Sequence, residues 1–317
     1  MRFRQNARLC AGVLLLLSLL GCAGTPQVAD VRQNPGALPP RAELSSVPFF
    51  PQETHQCGPA SLAMAANFAG VTVSADTLTA QTYLPERQGS LQAEMLAATR
   101  RQGLLAYPLA PSLSDLLAEV AAGTPVIVLQ NLGLAAFPKW HYAVVIGYEL
   151  EHEEIILRSG LERRQVLSFR TFEHTWARSA YWAMLALPPT RLPATANENR
   201  YVAAALALEQ TGQLRSAQAA YRTALLRWPG NLTARMGLGN TAYASGDKDL
   251  AETAFRQAAA DHPREWMPLN NLAHVLADRQ RYAEALNAAR QSLALAGQGN
   301  TTAQETLREI QSRAARR

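Results

Sequence analysis

Cysteine is scarce in this chain, three among 317 residues. That excludes a disulfide framework and a cluster of zinc-bound thiolates. Charge is also sparse, at 17% of residues. The formal net charge of +5 is inflated by Arg2, Arg4 and Arg8, which precede every acidic residue. Without those three, 27 basic side chains face 25 acidic ones. No clustered basic face remains, which argues against a nucleic-acid partner. The longest apolar run, residues 9–20, is too short to span a bilayer comfortably. Hydrophobic residues still make up 48% of a chain long enough for two domains, so overall disorder is excluded as well.

The first 22 residues read as an export signal: a basic start, an apolar run, then Leu19-Leu20-Gly21-Cys22. This ending resembles the lipobox of bacterial lipoproteins. The resemblance implies diacylglyceryl attachment to the Cys22 thiol, cleavage before Cys22 and acylation of the new amino group. The product would sit on a membrane surface and face the periplasm. No aspartate follows Cys22, so the outer membrane is favoured over the inner. Residues 22–45, with Pro26, Pro35, Gly36, Pro39 and Pro40 and no period, read as a flexible tether.

Cys10 would leave with the signal and Cys22 would carry lipid. Cys57 is then the sole remaining thiol. It lies in VPFFPQETHQCGPASLAMAAN, residues 47–67. Pro59 suits a first helical turn and the small apolar residues after it suit a buried helix. Cys57 would open that helix, where unpaired N–H groups and the positive dipole end favour a thiolate. A small buried core cysteine is the alternative reading.

Further along, Ser74 or Asp76 can cap a short helix, and a second helix is expected over 91–102. Residues 104–109 read as a strand, Ser112 or Ser114 caps another helix ending near Gly123, and 124–130 form a buried strand. WHYAVVIGY, 140–148, and Ile155-Ile156-Leu157 flank the acidic turn EHEE and read as a hairpin. An amphipathic helix over 169–177 and a strand over 181–187 follow. Helices first and antiparallel strands afterwards make this first domain, 46–190, α+β.

The set VPFFPQ…CGPASLAMA, then TPVIVL, then WHYAVVIGYE resembles the papain-like cysteine peptidases of the bacteriocin-processing, double-glycine-leader type. The resemblance covers about residues 46–188. It implies Cys57 as nucleophile, His141 as general base and acid, and Gln52 as oxyanion-hole donor. Amide cleavage by a thiol needs those three parts: a thiolate, a base to make it and donors facing the oxyanion. His55, His152 and His174 read as solvent-facing. In the family an aspartate after the second hairpin strand orients the imidazole. Here that stretch is Leu157-Arg158-Ser159-Gly160, with no acid, so Ser159 or a backbone carbonyl would have to serve.

After a linker, 191–197, the chain repeats with a period of 34. Pro229 and Pro263 are one period apart, as are Gly212, Gly246 and Gln280. So are Ala217, Ala251 and Ala285; Tyr221, Phe255 and Ala289; and Ala224, Ala258 and Ser292. Small residues let paired helices approach and an aromatic fills the gap between them. This resembles the tetratricopeptide repeat: three repeats at 198–231, 232–265 and 266–299, then a capping helix over 301–317. The expected whole is an all-α repeat solenoid behind a papain-like α+β domain. Its expected function is that of a lipid-anchored cysteine peptidase working through a Cys–His thiolate–imidazolium pair, without cofactor or metal, its repeats holding a protein partner. The competing expectation is a catalytically weak or inactive scaffold organising an envelope complex. Amidase or acyl-transfer action on non-protein amides is a third.

Overall fold

The computed structural model describes residues 24–51 and 56–316. The export segment, Cys22, Gln52 and His55 lie outside the described residues. In chain order the main elements begin with α1 (Pro26–Gln33), β1 (Arg41–Glu43), α2 (Cys57–Phe68) and α3 (Ala75–Thr82). The short strands β2 (Tyr83–Leu84) and β3 (Gly89–Ser90) follow, then α4 (Gln92–Arg101), β4 (Leu105–Pro108) and α5 (Leu113–Ala121). Next come β5 (Val126–Asn131), β6 (Trp140–Glu149), β7 (Glu154–Ser159), β8 (Glu162–Ser168), α6 (Phe169–Ala177) and β9 (Ala183–Leu187). The helices α7 (Glu198–Gln210), α8 (Leu214–Arg227), α9 (Leu232–Ala244), α10 (Lys248–Asp261), α11 (Met267–Asp278), α12 (Tyr282–Ala296) and α13 (Thr301–Ala315) complete the chain. By packing it divides into two compact units.

Among the described residues, the first unit comprises residues 24–45 and Leu109–Ala183. Its centre is β6. One edge of β6 pairs antiparallel with β7, and the other is shared, by β5 along residues 140–145 and by β1 along 147–149. Valines and isoleucines on both faces of β5 and β6 are fully buried, as β-branched side chains on a covered sheet should be. Gly147 makes room for β1: a Cβ there would stand 2.7 Å from the Ala42 carbonyl oxygen. The 140–148/155–157 hairpin expected from the sequence is present. The edge strand β8 was not expected. Its sequence, ERRQVLS, is largely exposed and carries no apolar alternation strong enough to announce it.

The stretch expected to be a flexible tether is folded in this unit. Pro26 begins α1 at a position where its missing N–H costs nothing. Val28 and Val31, one turn apart, are buried. The buried Glu173 carboxylate accepts hydrogen bonds from the Gln27 and Val28 backbone N–H groups at 3.1 and 2.8 Å. A helix of eight residues is marginal alone; here a carboxylate 145 residues away in sequence caps it. Two bidentate pairs, Arg32 with Glu153 and Arg164 with Glu43, hold the rest of the stretch.

The second unit comprises Ser46–Pro108 and Met184–Arg317. α2 is buried from Gly58 to Ala66. β4 pairs with β9, Leu105 opposite Leu187. The Asn197 N–H donates to the Tyr107 hydroxyl at 3.0 Å, so residues ahead of α7 rest on β4. The repeat region forms three helix pairs and α13. The alanine rows are buried, Tyr221 fills the place where Gly237 has no Cβ, and Phe255 does the same at Gly239. Pro229 and Pro263 stand two residues past the ends of α8 and α10. The glycine row has one substitution that costs energy: Gly212 and Gly246 take φ of 76° and 83°, and Gln280 takes 63°. That conformation is free for glycine and strained for glutamine.

Two outcomes follow. Gln280→Gly should stabilise the chain by up to about 1 kcal/mol, read as a rise in the urea midpoint at unchanged m-value. Glu173→Ala should release α1, and limited proteolysis should then cut within residues 34–40 many-fold faster than in the parent while circular dichroism shows the remaining helices retained.

Candidate active site

Cys57 is the first residue of α2 and is half-buried. The N-cap residue Gln56 makes no side-chain capping bond. Gly58 lets that turn press against its neighbours: a Cβ there would fall 2.6 Å from the Ser90 hydroxyl oxygen and 3.2 Å from the Met95 sulfur. The helix start is thus fixed by packing on β3 and α4. A cysteine at a rigid helix N-terminus faces backbone donors and the positive dipole end, the setting that activates a thiol for attack.

His141 is the second residue of β6 and Ser159 the last of β7. In the register Val144 opposes Arg158, so His141 and Ser159 are diagonal neighbours on one face. The Ser159 hydroxyl stands 2.9 Å from His141 Nε2. Engaging Nε2 leaves Nδ1 as the nitrogen that can exchange a proton with a substrate or a thiol. For Nδ1 to accept, the ring proton must sit on Nε2 and donate to Ser159 Oγ.

Burial pushes the His141 pKa down to about 4, and the Lys139 ammonium adds to the effect. Both causes penalise the imidazolium. A hydroxyl orients the ring as a carboxylate would but brings no negative charge against them. Both causes favour the neutral imidazole.

The structure therefore brings His141 and Ser159 together in the first unit. Cys57 belongs to the second unit, and Gln52 lies outside the described residues. Sequence reasoning missed two contributors. Lys139 acts through its charge, and Gln130, buried directly opposite His141, donates to Thr175 Oγ1 at 2.7 Å and fixes the neighbouring strand. The switch from four apolar residues to two amides at the end of the buried strand VIVLQN was the available signal for the second. His152 is exposed beside Glu149, as expected, whereas His174 is half-buried on α6. Among the described residues no group of three His, Cys, Asp or Glu side chains is placed to hold a metal ion, and no helix is long and apolar enough to cross a membrane.

Residues 44–184 match the Peptidase_C39 like family, and residues 202–264 and 237–300 match the tetratricopeptide repeat. The chain thus joins a C39-like peptidase fold to a tetratricopeptide solenoid. The first match takes in Cys57, His141 and Ser159; the second takes in all the repeat rows. No curated protein matches the chain. Among solved structures, a Bacillus anthracis chain described as a C39-like peptidase is 20% identical, covering 46% of this chain and 97% of its own, with a TM-score of 0.40. The Sgt2 tetratricopeptide domain of Aspergillus fumigatus is 18% identical over 37% of this chain and 79% of its own, with a TM-score of 0.36. The Yersinia enterocolitica secretion chaperone SycD, solved with a peptide of the translocator YopD, is 19% identical over 36% and 92%, with a TM-score of 0.34. The repeats of this chain indicate protein-binding partners.

The depressed His141 pKa has a consequence for stability. The unfolded imidazole titrates near 6.5 and the folded one near 4. Between those values the unfolded chain holds a proton that the folded chain does not. Stability should therefore be indifferent to this group above pH 6.5 and should fall as pH drops toward 4. His141→Asn should remove up to ~3 kcal/mol of that acid-side loss, measured by urea titration at intervals from pH 4 to 7.

Proposed function

We propose that the C39-like domain is a cysteine peptidase with Cys57 as nucleophile and His141 as its proton carrier. The observation that carries the reading is the His141–Ser159 hydrogen bond, in a stretch matching a peptidase family that also takes in a cysteine at a helix N-terminus. His141 Nδ1 takes the thiol proton as the Cys57 sulfur forms a bond to the substrate carbonyl carbon. The tetrahedral oxyanion is held by the Gln52 amide and the Cys57 backbone N–H. As the intermediate collapses, the C–N bond breaks and His141 returns the proton to the leaving amine. Water, deprotonated by the same nitrogen, resolves the thioester. Ser159 holds the ring so that Nδ1 is presented throughout. The neutral resting imidazole makes this general-base attack, in contrast to a pre-formed ion pair. The repeats hold a protein partner or deliver the substrate. Acylated Cys22 anchors the chain in the bacterial envelope, facing the periplasm, on the outer membrane in preference to the inner.

One observation favours a second reading. A histidine pushed to about 4 without a carboxylate behind it is a poor base for ionising a thiol, and a binding scaffold needs no better one. Two measurements separate the readings. Iodoacetamide labelling of Cys57 at pH 7 should slow at least tenfold in His141→Ala if the two residues work as a pair. Equal rates would leave the scaffold. Ser159→Asp should raise the His141 pKa, followed by NMR of its ring protons, and should increase peptidase turnover. Ser159→Ala should lower turnover several-fold, as expected for one lost orienting hydrogen bond. A Ser159→Asp variant whose His141 pKa rises while turnover stays unchanged counts against the catalytic role of His141.

A further inference from the structure

The connection between β5 and β6 carries apolar side chains into solvent. Leu134 is 68% exposed, Phe137 78% and Trp140 51%. Leu161, in the turn between β7 and β8, is 77% exposed. β6 starts where β7 ends, so that turn and residues 132–140 lie at the same end of the first unit. The loop is held rigidly. The Leu132 N–H donates to the Lys139 carbonyl, Asn131 Oδ1 accepts from the Gly133 and Lys139 N–H groups, and Arg178 donates to the Asn131 and Gly133 carbonyls. A Cβ on Gly133 would stand 2.3 Å from the Phe137 carbonyl oxygen, so the loop closes too tightly for any other residue there. A rigid loop that shows leucine, phenylalanine and tryptophan to water is organised for contact with something apolar.

The course of the chain says what that is. Glu173, which caps the start of α1, lies midway along α6, between Phe169, whose N–H donates to the Glu153 carbonyl, and Arg178, which braces the loop, so α1 begins part-way along the unit. Gln27 in the first turn of α1 also receives the Leu113 N–H and donates to the Pro111 carbonyl, at the start of α5. The far end of α1 reaches Glu153, in the turn between β6 and β7 at the opposite end. Cys22 stands three residues before Thr25, the N-cap of α1, and three residues span at most about 11 Å. With residues 26–43 folded onto the unit, only a few residues separate the lipid-bearing cysteine from the unit, which would hold it close to the membrane surface. Lys139 and Arg163 are exposed at the same end, and aromatic residues beside basic ones suit the boundary between lipid headgroups and acyl chains.

We propose that residues 132–140 and Leu161 form a lipid-docking surface that enters the membrane leaflet in which Cys22 is anchored. The proposal rests on the acylation of Cys22 proposed above and is independent of whether the peptidase is active. One point of attachment leaves a domain free to tumble, whereas two fix its orientation. Docking would turn the end of β6 that bears His141 toward the membrane, and the chain would meet its substrates at the lipid surface.

The test uses the full chain, with its own N-terminal segment, in a bacterial host that acylates lipobox cysteines. A photo-reactive benzoylphenylalanine replaces Leu134, Phe137 or, at the opposite end of the unit, Glu151. Adducts are identified by mass, and the mass of the N-terminal peptide reports acylation of Cys22 separately. Phospholipid adducts at 134 and 137 should exceed those at 151 at least fivefold. They should persist in Cys57→Ala, and Leu134→Ser should reduce those at 137 several-fold. Equal adducts at 137 and 151 would show mere proximity and overturn docking. Polypeptide adducts in place of lipid at 137 would overturn it in favour of a protein partner. An absence of adducts at 137 with Cys22 acylated would also overturn it. Strong adducts at 137 with Cys22 unacylated would uphold the docking surface and remove the anchor reading alone.

Discussion

The ladder along β6 is the constraint on which the first unit depends. Ten residues of one strand serve three partners, with β7 on one edge and β5 and then β1 on the other. From Val144 onward the strand has ladder partners on both edges, and its apolar side chains there are buried on both faces. The cost is that every residue on it is held in register. His141 inherits that order. It stands where the buried part of β6 gives way to an exposed loop, diagonal to the last residue of β7. Gly147 shows the same constraint from the other end, because the approach of β1 leaves no room for a side chain.

The electrostatics of His141 follow from this placement. A partly buried ring with a lysine two residues before it loses its proton easily. A carboxylate behind it would reverse that, and a serine cannot. The Ser159 hydroxyl therefore orients the ring without supplying the charge that would stabilise an imidazolium.

The two halves of the chain differed in how much of their structure could be read in advance. In the repeats, each row of small or aromatic residues recurs every 34 positions, and each contact is made with a neighbouring helix. Ala217, Tyr221 and Ala224 therefore carried their own packing partners in the sequence. Asn231, Asp247 and Asn300 cap α9, α10 and α13 through local hydrogen bonds, again within a few residues. Residues 26–43 could not be read this way. Their prolines and scattered polar residues describe a spacer until Glu173, Glu153 and Arg164 are brought to them. β8 was missed for a related reason: an edge strand of charged residues owes its conformation to β7 beside it.

By itself, then, the amino-acid order determined what depends on near neighbours: the helix opened by Cys57, the buried strands around His141, and the solenoid with its period. Helical and strand periodicities, caps and repeat rows act over a few residues or between adjacent elements, so they are written locally. Only the tertiary structure decided that Ser159 meets His141 Nε2, that burial lowers the pKa of the imidazole, and that residues 26–43 fold back onto the sheet. Each of those results from groups tens to hundreds of residues apart being desolvated together. Hydrogen-bond partners and burial of that kind exist only once the chain has folded.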